Sequence, residues 1–396
     1  MGNDQSSGEW TPIEGSERLP ALDAVRGIAL LGVLVVNAQS GFRLSLFDHI
    51  LKFHSHPDWA NRLMDVLIAG TMEFKAIALF TLLFGIGIGI QAERTASRSL
   101  NSSKFLLRRF LVLLVIGLVH MFGIWNGDIL VLYAVCGILI IPLLRLPVAL
   151  LVVLGVAAIV YPFGLPYGGL RQSAEVLRAH AALATQIYSA GSASDILVLR
   201  WQEGWHFIVP LLIGILPRTL GLMLLGVAAW RFSIIRDTQK HRRLLWGILI
   251  AAGTAGALTT CLAVYSKSSG REVSIPFPFD LVGPDVLLAL SYAAALFLWL
   301  RSQRRGMVVS SLIAGGRMAL SNYLAQSVIL GFIFYSYGFG LFGQLGSVAV
   351  TIICLVIYAV QLGISRAWLS RYHFGPVEWL WRSLSYGRRQ PMRRDG

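Results

Sequence analysis

The sequence predicts an all-α fold: a polytopic integral membrane bundle of about ten transmembrane helices, with the N-terminus and C-terminus both on the cytoplasmic side. Three observations predict it. The 396-residue chain is 56% hydrophobic and only 14% charged, with a mean hydropathy of +0.66, whereas soluble domains carry about 25% charged residues. Apolar stretches of roughly 20 residues, long enough to cross a ~30 Å hydrocarbon core, recur along nearly the whole chain. Basic residues gather in short segments between alternate stretches, as lysine and arginine do in cytoplasmic loops.

The stretches lie near residues 20–39, 64–90, 107–126, 128–145, 147–163, 207–230, 244–265, 281–300, 311–337 and 347–366. Residues 1–18 are a polar lead that reads as disordered, and residues 19–366 form the bundle. The first stretch contains Asp23 and Arg26 and has no small-residue cleavage pattern, so it reads as an uncleaved helix. The segments QAERTASRSLNSSKFLLRR, RFSIIRDTQKHRR, RSQRR and YGRRQPMRR hold most of the 34 basic residues and fall on one side together with the N-terminus. The net charge of +14 therefore reflects topology and attraction to anionic lipid, and membrane lipids are the expected partners. Nucleic acid is not an expected partner, because the basic residues sit in short loops facing a membrane.

Three longer segments occupy the opposite side: residues 40–63, 164–206 and 266–280. The middle one contains helix-like text followed by Asp195, Arg200, Glu203 and His206, and so reads as short helices over the bundle mouth. Residues 367–396 read as a cytoplasmic interfacial helix and basic tail, with Trp379, Leu380, Trp381 and Leu384 among arginines. Cys136, Cys261 and Cys354 fall in separate spans and imply neither a disulfide framework nor a metal site. In LLFGIGIGIQ, Gly85 and Gly89 share one helix face and point to close helix packing.

Polar groups inside the spans carry the functional signal, because each costs several kcal/mol in hydrocarbon and must face the bundle interior. They are Asp23, Arg26 and Asn37, then Glu73 and Lys75, then His120 and Asp128, then Arg218, then Arg317, Asn322 and Gln326, and last Gln361. In LVHMFGIWNGDILVLY, His120 lies about 9 Å below the Asn126-Gly127 turn at ~1.5 Å per helical residue. Depth along the spans lets His120, Asp128, Glu73, Lys75 and Asn37 share one outer-leaflet region. Asp128 also fits a plain helix cap after the turn. Lys75 is expected to neutralise Glu73 or Asp128, and Arg218 to meet a buried acid or an anionic ligand.

LDAVRGIALLGVLVVN, FKAIALFTLLFG, GLVHMFGIWNGDILVLYAVCGIL, GRMALSNYLAQS and FGPVEWLWRSLSYG together resemble the YeiB-like family of bacterial membrane proteins, defined by a domain of unknown function (418). The resemblance runs in order from about residue 19 to 390 and implies a multi-pass protein of the bacterial cytoplasmic (inner) membrane. The family is grouped with transmembrane acyltransferases, which move acyl groups from cytoplasmic acyl-CoA to acceptors outside. The sugar O-acyltransferases have an arginine in the first span and a catalytic histidine eleven residues later. Arg26 matches the arginine, but Asn37 stands at the histidine position. The heparan-α-glucosaminide N-acetyltransferase family is also similar here, with asparagine at that position and a histidine from the next outer loop, a pattern that points to His56 in His56-Pro57-Asp58-Trp59.

The resemblance thus implies acyl-CoA as donor and a small-molecule or glycan acceptor, and the sequence, with no HExxH pair or GxSxG elbow, carries no signal for a metal or a hydrolase. His120 and His56 are the rival bases, and Asp128 or Glu73 would hold the imidazole and fix its tautomer. Arg26, Arg108, Arg109 and Arg317, with Arg94 and the tail arginines, would meet the acyl-CoA phosphates by bidentate contacts. Asn37, Lys75, Arg218, Asn322 and Gln326 would complete a polar cluster for substrate or structure. The alternative is a proton-coupled transporter or exporter of a small hydrophobic or anionic solute, using Glu73, Lys75, His120 and Asp128. A non-catalytic lipid- or partner-binding component is a third reading, and a homo-oligomer is compatible with all three.

Overall fold

In the computed structural model of the chain, residues 19–51, 58–97, 101–161, 174–269, 283–302 and 306–394 are described. The polar lead at residues 1–18, His56 and most of the 266–280 segment lie outside them. The regular elements described are all helices: α1 (Pro20–Asn37), α2 (Leu46–Leu51), α3 (Trp59–Thr71), α4 (Lys75–Ser97), α5 (Ser102–Val119), α6 (Leu130–Leu143), α7 (Val148–Val160), α8 (Ala174–Ala190), α9 (Ala193–Glu203), α10 (Val209–Arg231), α11 (Arg242–Ser269), α12 (Pro284–Ser302), α13 (Met307–Arg317), α14 (Ala319–Phe334), α15 (Ser347–Arg371) and α16 (Pro376–Tyr386). Among the described residues, six helical stretches are long and apolar enough to cross a membrane: Pro20–Phe42, Trp59–Ser97, Ser102–Ile124, Ala193–Arg231, Arg242–Ser266 and Ser347–Arg371. Five shorter apolar helices accompany them, including α6, α7 and α14.

The core is held by backbone-to-backbone approach. A Cβ on Gly316 of α13 would come within 1.8 Å of the Asp23 carbonyl oxygen on α1, and one on Gly27 within 2.3 Å of the Leu312 carbonyl oxygen. Gly85 does the same for α4, where its missing Cβ leaves room for the Met223 carbonyl of α10. Hydrocarbon gives little hydrophobic drive between helices, so such close van der Waals seams are a principal source of association. The sequence expectation for Gly85 is met on α10, and Gly89 lies against the Trp230 side chain.

Two expected spans are broken. Residues 311–337 divide at Met318 into α13 and α14, just after the glycine pair that presses α13 onto α1. Residues 64–90 divide between α3 and α4, where Phe74 takes a positive φ of 58° and the Lys75 amine donates to the Ala69 carbonyl at 2.6 Å. Polar groups therefore gather at helix breaks, where unpaired backbone carbonyls are present to receive them.

Gly316→Leu places a branched side chain into the α1–α13 seam, and about 1–3 kcal/mol of overpacking cost is expected. A lower melting temperature of the detergent-solubilised protein, followed by size-exclusion chromatography after heating, checks this; unchanged melting would contradict the seam.

Candidate functional site

The α5 helix widens in its last turn: from His120 the backbone runs as a five-residue π turn, in which the Trp125 amide bonds the His120 carbonyl at 2.8 Å. This extra residue per turn re-aims the histidine toward the chain that returns after Asn126-Gly127. His120 Nδ1 donates to Asp128 Oδ1 at 2.7 Å, and Asp128 Oδ2 accepts the Val131 amide at 2.7 Å. Asp128 is thus both the cap of α6 and the partner of the imidazole. Both side chains are buried, and His120 Nε2 has no hydrogen-bond partner among the described residues. A carboxylate only accepts, so Nδ1 carries the proton and Nε2 presents a lone pair, the arrangement of a general base.

Aromatic rings surround the pair. The Tyr323 ring of α14 lies 5.1 Å from the imidazole, centroid to centroid, and Trp125 lies 6.4 Å away. The Tyr323 hydroxyl is buried and makes no hydrogen bond of good geometry. Trp125 stacks on Phe42 at 4.8 Å, and its indole leaves no room for a side chain at Gly41 or Gly127. Asn126 in the turn donates to the buried Glu203 carboxylate at the end of α9, which also receives His180 Nε2 and the Tyr188 hydroxyl, each at 2.9 Å. The helices α8 and α9 are tied in this way to the turn that carries Asp128.

A cavity of about 350 Å³ runs from the neighbours of this pair, Gly127 and Tyr323, to the other end of the bundle; His120 and Asp128 themselves lie behind its lining. Its dyad end is lined by Asn37, Gly127, Tyr133 and Tyr323, its middle by Leu30, Val33, Phe80, Phe84 and Leu113, and its far end by Arg26, Arg94, Arg109, Arg317 and Arg382. Asn37 lies eleven positions beyond Arg26 on α1, about 16 Å along the axis. The two carboxylates at the basic end are both engaged. Asp23 pairs with Arg26 at 3.1 Å, and Glu378 accepts the Leu320 amide at 2.7 Å and the Ser321 amide at 2.9 Å. The basic end is therefore net positive.

The α16 helix forms part of that end. The Trp381 indole donates to the Arg109 carbonyl at 2.8 Å while the Arg109 guanidinium lies 3.6 Å over its ring. Leu380 and Leu384 stay exposed on the opposite side, as on an interfacial helix. Burial pushes the Glu378 carboxyl pKa up, against the Ser321 and backbone hydrogen bonds that pull it down. Glu378, Trp381, Arg382 and His373 as cavity residues escaped the sequence reading, which took this stretch for a membrane anchor; the Glu378-Ser321 pairing leaves no local sequence signal.

The other expected residues fall elsewhere. Arg26, Arg109 and Arg317 line the cavity, whereas Arg108 does not and lies against Gly387. Glu73 pairs with His49 Nε2 at 3.0 Å and Lys75 bonds Ala69, so neither joins the His120–Asp128 pair as the shared outer-leaflet region had implied. Depth along a span does not fix azimuth, and the α3–α4 break turns Lys75 to its own carbonyl and Glu73 to His49, with the Asp285 and Glu73 carboxylates still close enough to attract the Lys75 ammonium, as expected for Glu73. Arg218 meets Asp285, one of its two expected partners. Asn322 and Gln326 form a structural ladder to α15: Asn322 Nδ2 donates to Ser365 at 3.0 Å and Gln326 Nε2 to Gln361 at 2.8 Å.

Fold and site together define a class: an all-helical protein of membrane-spanning composition, with a cavity that has an arginine belt at one end and, just behind its lining at the other, a buried histidine–aspartate pair. A family model described as "Protein of unknown function (DUF418)" matches residues 229–388, which include the Tyr323 and α16 walls of the cavity. The chain is similar along its whole length to "Uncharacterized protein YxaH" of Bacillus subtilis (strain 168), 30% identical over 410 residues that cover 96% of this chain and 97% of that protein. It is also 27% identical over 409 residues to "Uncharacterized protein YeiB" of Escherichia coli (strain K12), covering 93% and 96% of the two chains. The chain belongs to this DUF418, YeiB-like family.

Asp128→Ala removes the imidazole partner and the α6 cap together, and a loss of about 1–3 kcal/mol is expected, against less for Asp128→Asn, whose side-chain oxygen still caps. Thermal melting of the two variants in detergent checks the order. For Glu378 the folded pKa lies above the unfolded one, so its contribution is complete below the unfolded pKa and lost as pH rises through the folded pKa. Hydrogen exchange over 376–386 is expected to quicken with rising pH more in the wild type than in Glu378→Gln, after correction for intrinsic exchange.

Proposed function

We propose that this chain is a membrane acyltransferase that moves an acyl group from cytoplasmic acyl-CoA to a hydroxyl or amine of an extracytoplasmic acceptor such as a glycan or lipid. The reading includes about ten spans, N-in and C-in, in the bacterial cytoplasmic membrane. The observation that carries it is the single cavity joining five arginines to the surroundings of an unpartnered, buried imidazole nitrogen. The positive-inside rule puts the arginine end in the cytoplasm, where Arg26, Arg94, Arg109, Arg317 and Arg382 would receive the donor's phosphates. The apolar middle would take the pantetheine arm and bring the thioester to the dyad end.

There the His120 imidazole, through Nε2, would take the proton of the acceptor O–H or N–H as the acceptor attacks the thioester carbonyl. The carbon–sulfur bond then breaks, and the departing thiolate takes the proton back from the imidazolium. Asp128 would hold the ring and stabilise its transient charge. The Tyr323 hydroxyl, held only loosely near the Ile129 backbone, would donate to the carbonyl oxygen as charge develops on it. The transporter alternative needs Glu73 and Lys75 on the same path as His120 and Asp128; their bonds to His49 and Ala69 weigh against it.

Purified protein in detergent, given radiolabelled acyl-CoAs, tests the reading. Acyl-CoA binding with slow acyl loss is expected in the wild type. His120→Ala should keep binding and lose about 10²–10⁴-fold in transfer. Tyr323→Phe should keep binding and lose roughly 10²-fold. Arg317→Gln should weaken binding with little change in the bound turnover. Failure to bind any acyl-CoA would sink the proposal.

A further inference from the structure

A second basic recess lies behind the wall of the main cavity. It is a groove of about 470 Å³ at the ends of α4, α5, α6 and α10, bounded by Arg145, Arg231, Arg236, Glu93, Ser102 and Ser103. Trp230 and Leu106 line both spaces. The arginines come from separate places in the chain. Arg231 is fixed by donating to the Leu146 carbonyl at 2.9 Å and to that of Leu144, where α6 has ended. Arg236 lies 4.1 Å over the Trp230 ring and pairs with Glu93, which also accepts the Trp230 indole N–H at 2.6 Å. Arg145 makes no side-chain hydrogen bond or ion pair among the described residues. Three cations against one engaged carboxylate leave the groove net positive.

The α5 helix begins in the groove at Ser102 and Ser103, whose first-turn amides have no intrahelical carbonyl to bond. The same helix then carries exposed apolar residues, Leu107, Leu111, Val115 and Val119, at four-residue steps from Ser103 that wind about 40° round the helix per step. From Leu107 to Val119 these residues rise about 18 Å. One leaflet of hydrocarbon is about 15 Å deep. The positive recess at the start of α5 is thus followed, on the same helix, by exposed apolar side chains that wind over about the depth of one leaflet.

We propose that this groove is a binding site for the phosphate headgroup of an anionic phospholipid, whose chains run along the exposed face of α5. Arg145 and Arg236 contact the phosphate with Arg231 behind them, and the α5 amides complete the anion site. A soluble phosphate would satisfy the groove and leave these apolar side chains unused, and for that reason the lipid is the assigned source.

Protein purified in detergent and stripped of lipid is titrated with phosphatidylglycerol or phosphatidylcholine, with inorganic phosphate as competitor. Phosphatidylglycerol is expected to saturate at a single lipid per chain and to outbind phosphatidylcholine. The double variant Arg145→Gln/Arg236→Gln should weaken it about thirtyfold. Ser103→Asp puts a negative charge in the groove at a helix start that favours acids, so it should fold normally and weaken binding comparably. Arg388→Gln/Arg389→Gln, in the basic tail, should change little. Wild-type affinity in both groove variants, an equal loss in the tail variant, or displacement of the lipid by millimolar phosphate would overturn the assignment.

Discussion

The carboxylate of Asp128 closes two helices at once. One oxygen satisfies the start of α6 and the other holds the ring at the end of α5, so the tight return between them is fixed by a single buried group. In a medium that offers no water, a turn at this depth exists only if its polar atoms find partners inside the chain. The neighbouring Asn126 extends the same solution to Glu203, and through it the outer helices α8 and α9 rest on the turn. Among the described residues Nε2 of His120 keeps no partner beside this turn, and it is a group with chemistry to offer.

Packing explains why space remains beside it. Glycines at 27, 85 and 316 bring α1 to α13 and α4 to α10 at backbone distance, and Gly117 does the same between α5 and α6. The cavity lies between these close pairs. Its walls change character with depth because arginines can be kept only where a carbonyl, an indole face or a carboxylate meets them, as Arg317, Arg109 and Arg26 each show.

The helical class and the His120–Asp128 pair were legible in the sequence because both are local: composition and run length define spans, and eight residues separate the two partners. The pairing of Asp128 was also legible as a cap, and both readings hold together. Glu73 and Lys75 do not join the His120–Asp128 pair because the chain breaks at Phe74, and that break depends on contacts that periodicity does not encode. Tyr323, Glu378 and Trp381 were invisible as site residues for a different reason. They reach the cavity from helices nearly two hundred residues or more beyond His120, in segments whose own patterns suggest only apolar burial or membrane contact.

The position of α16 has a consequence for biosynthesis. A membrane chain is inserted in order, and the walls from α1, α4, α5 and α6 are in place long before Glu378 and Trp381 have been made. Until that helix docks, the basic end of the cavity stands open on one side and the start of α14 lacks the carboxylate that accepts its amides. A nascent chain can therefore hold all the earlier helices and still lack a finished pocket, whose last wall arrives only with α16.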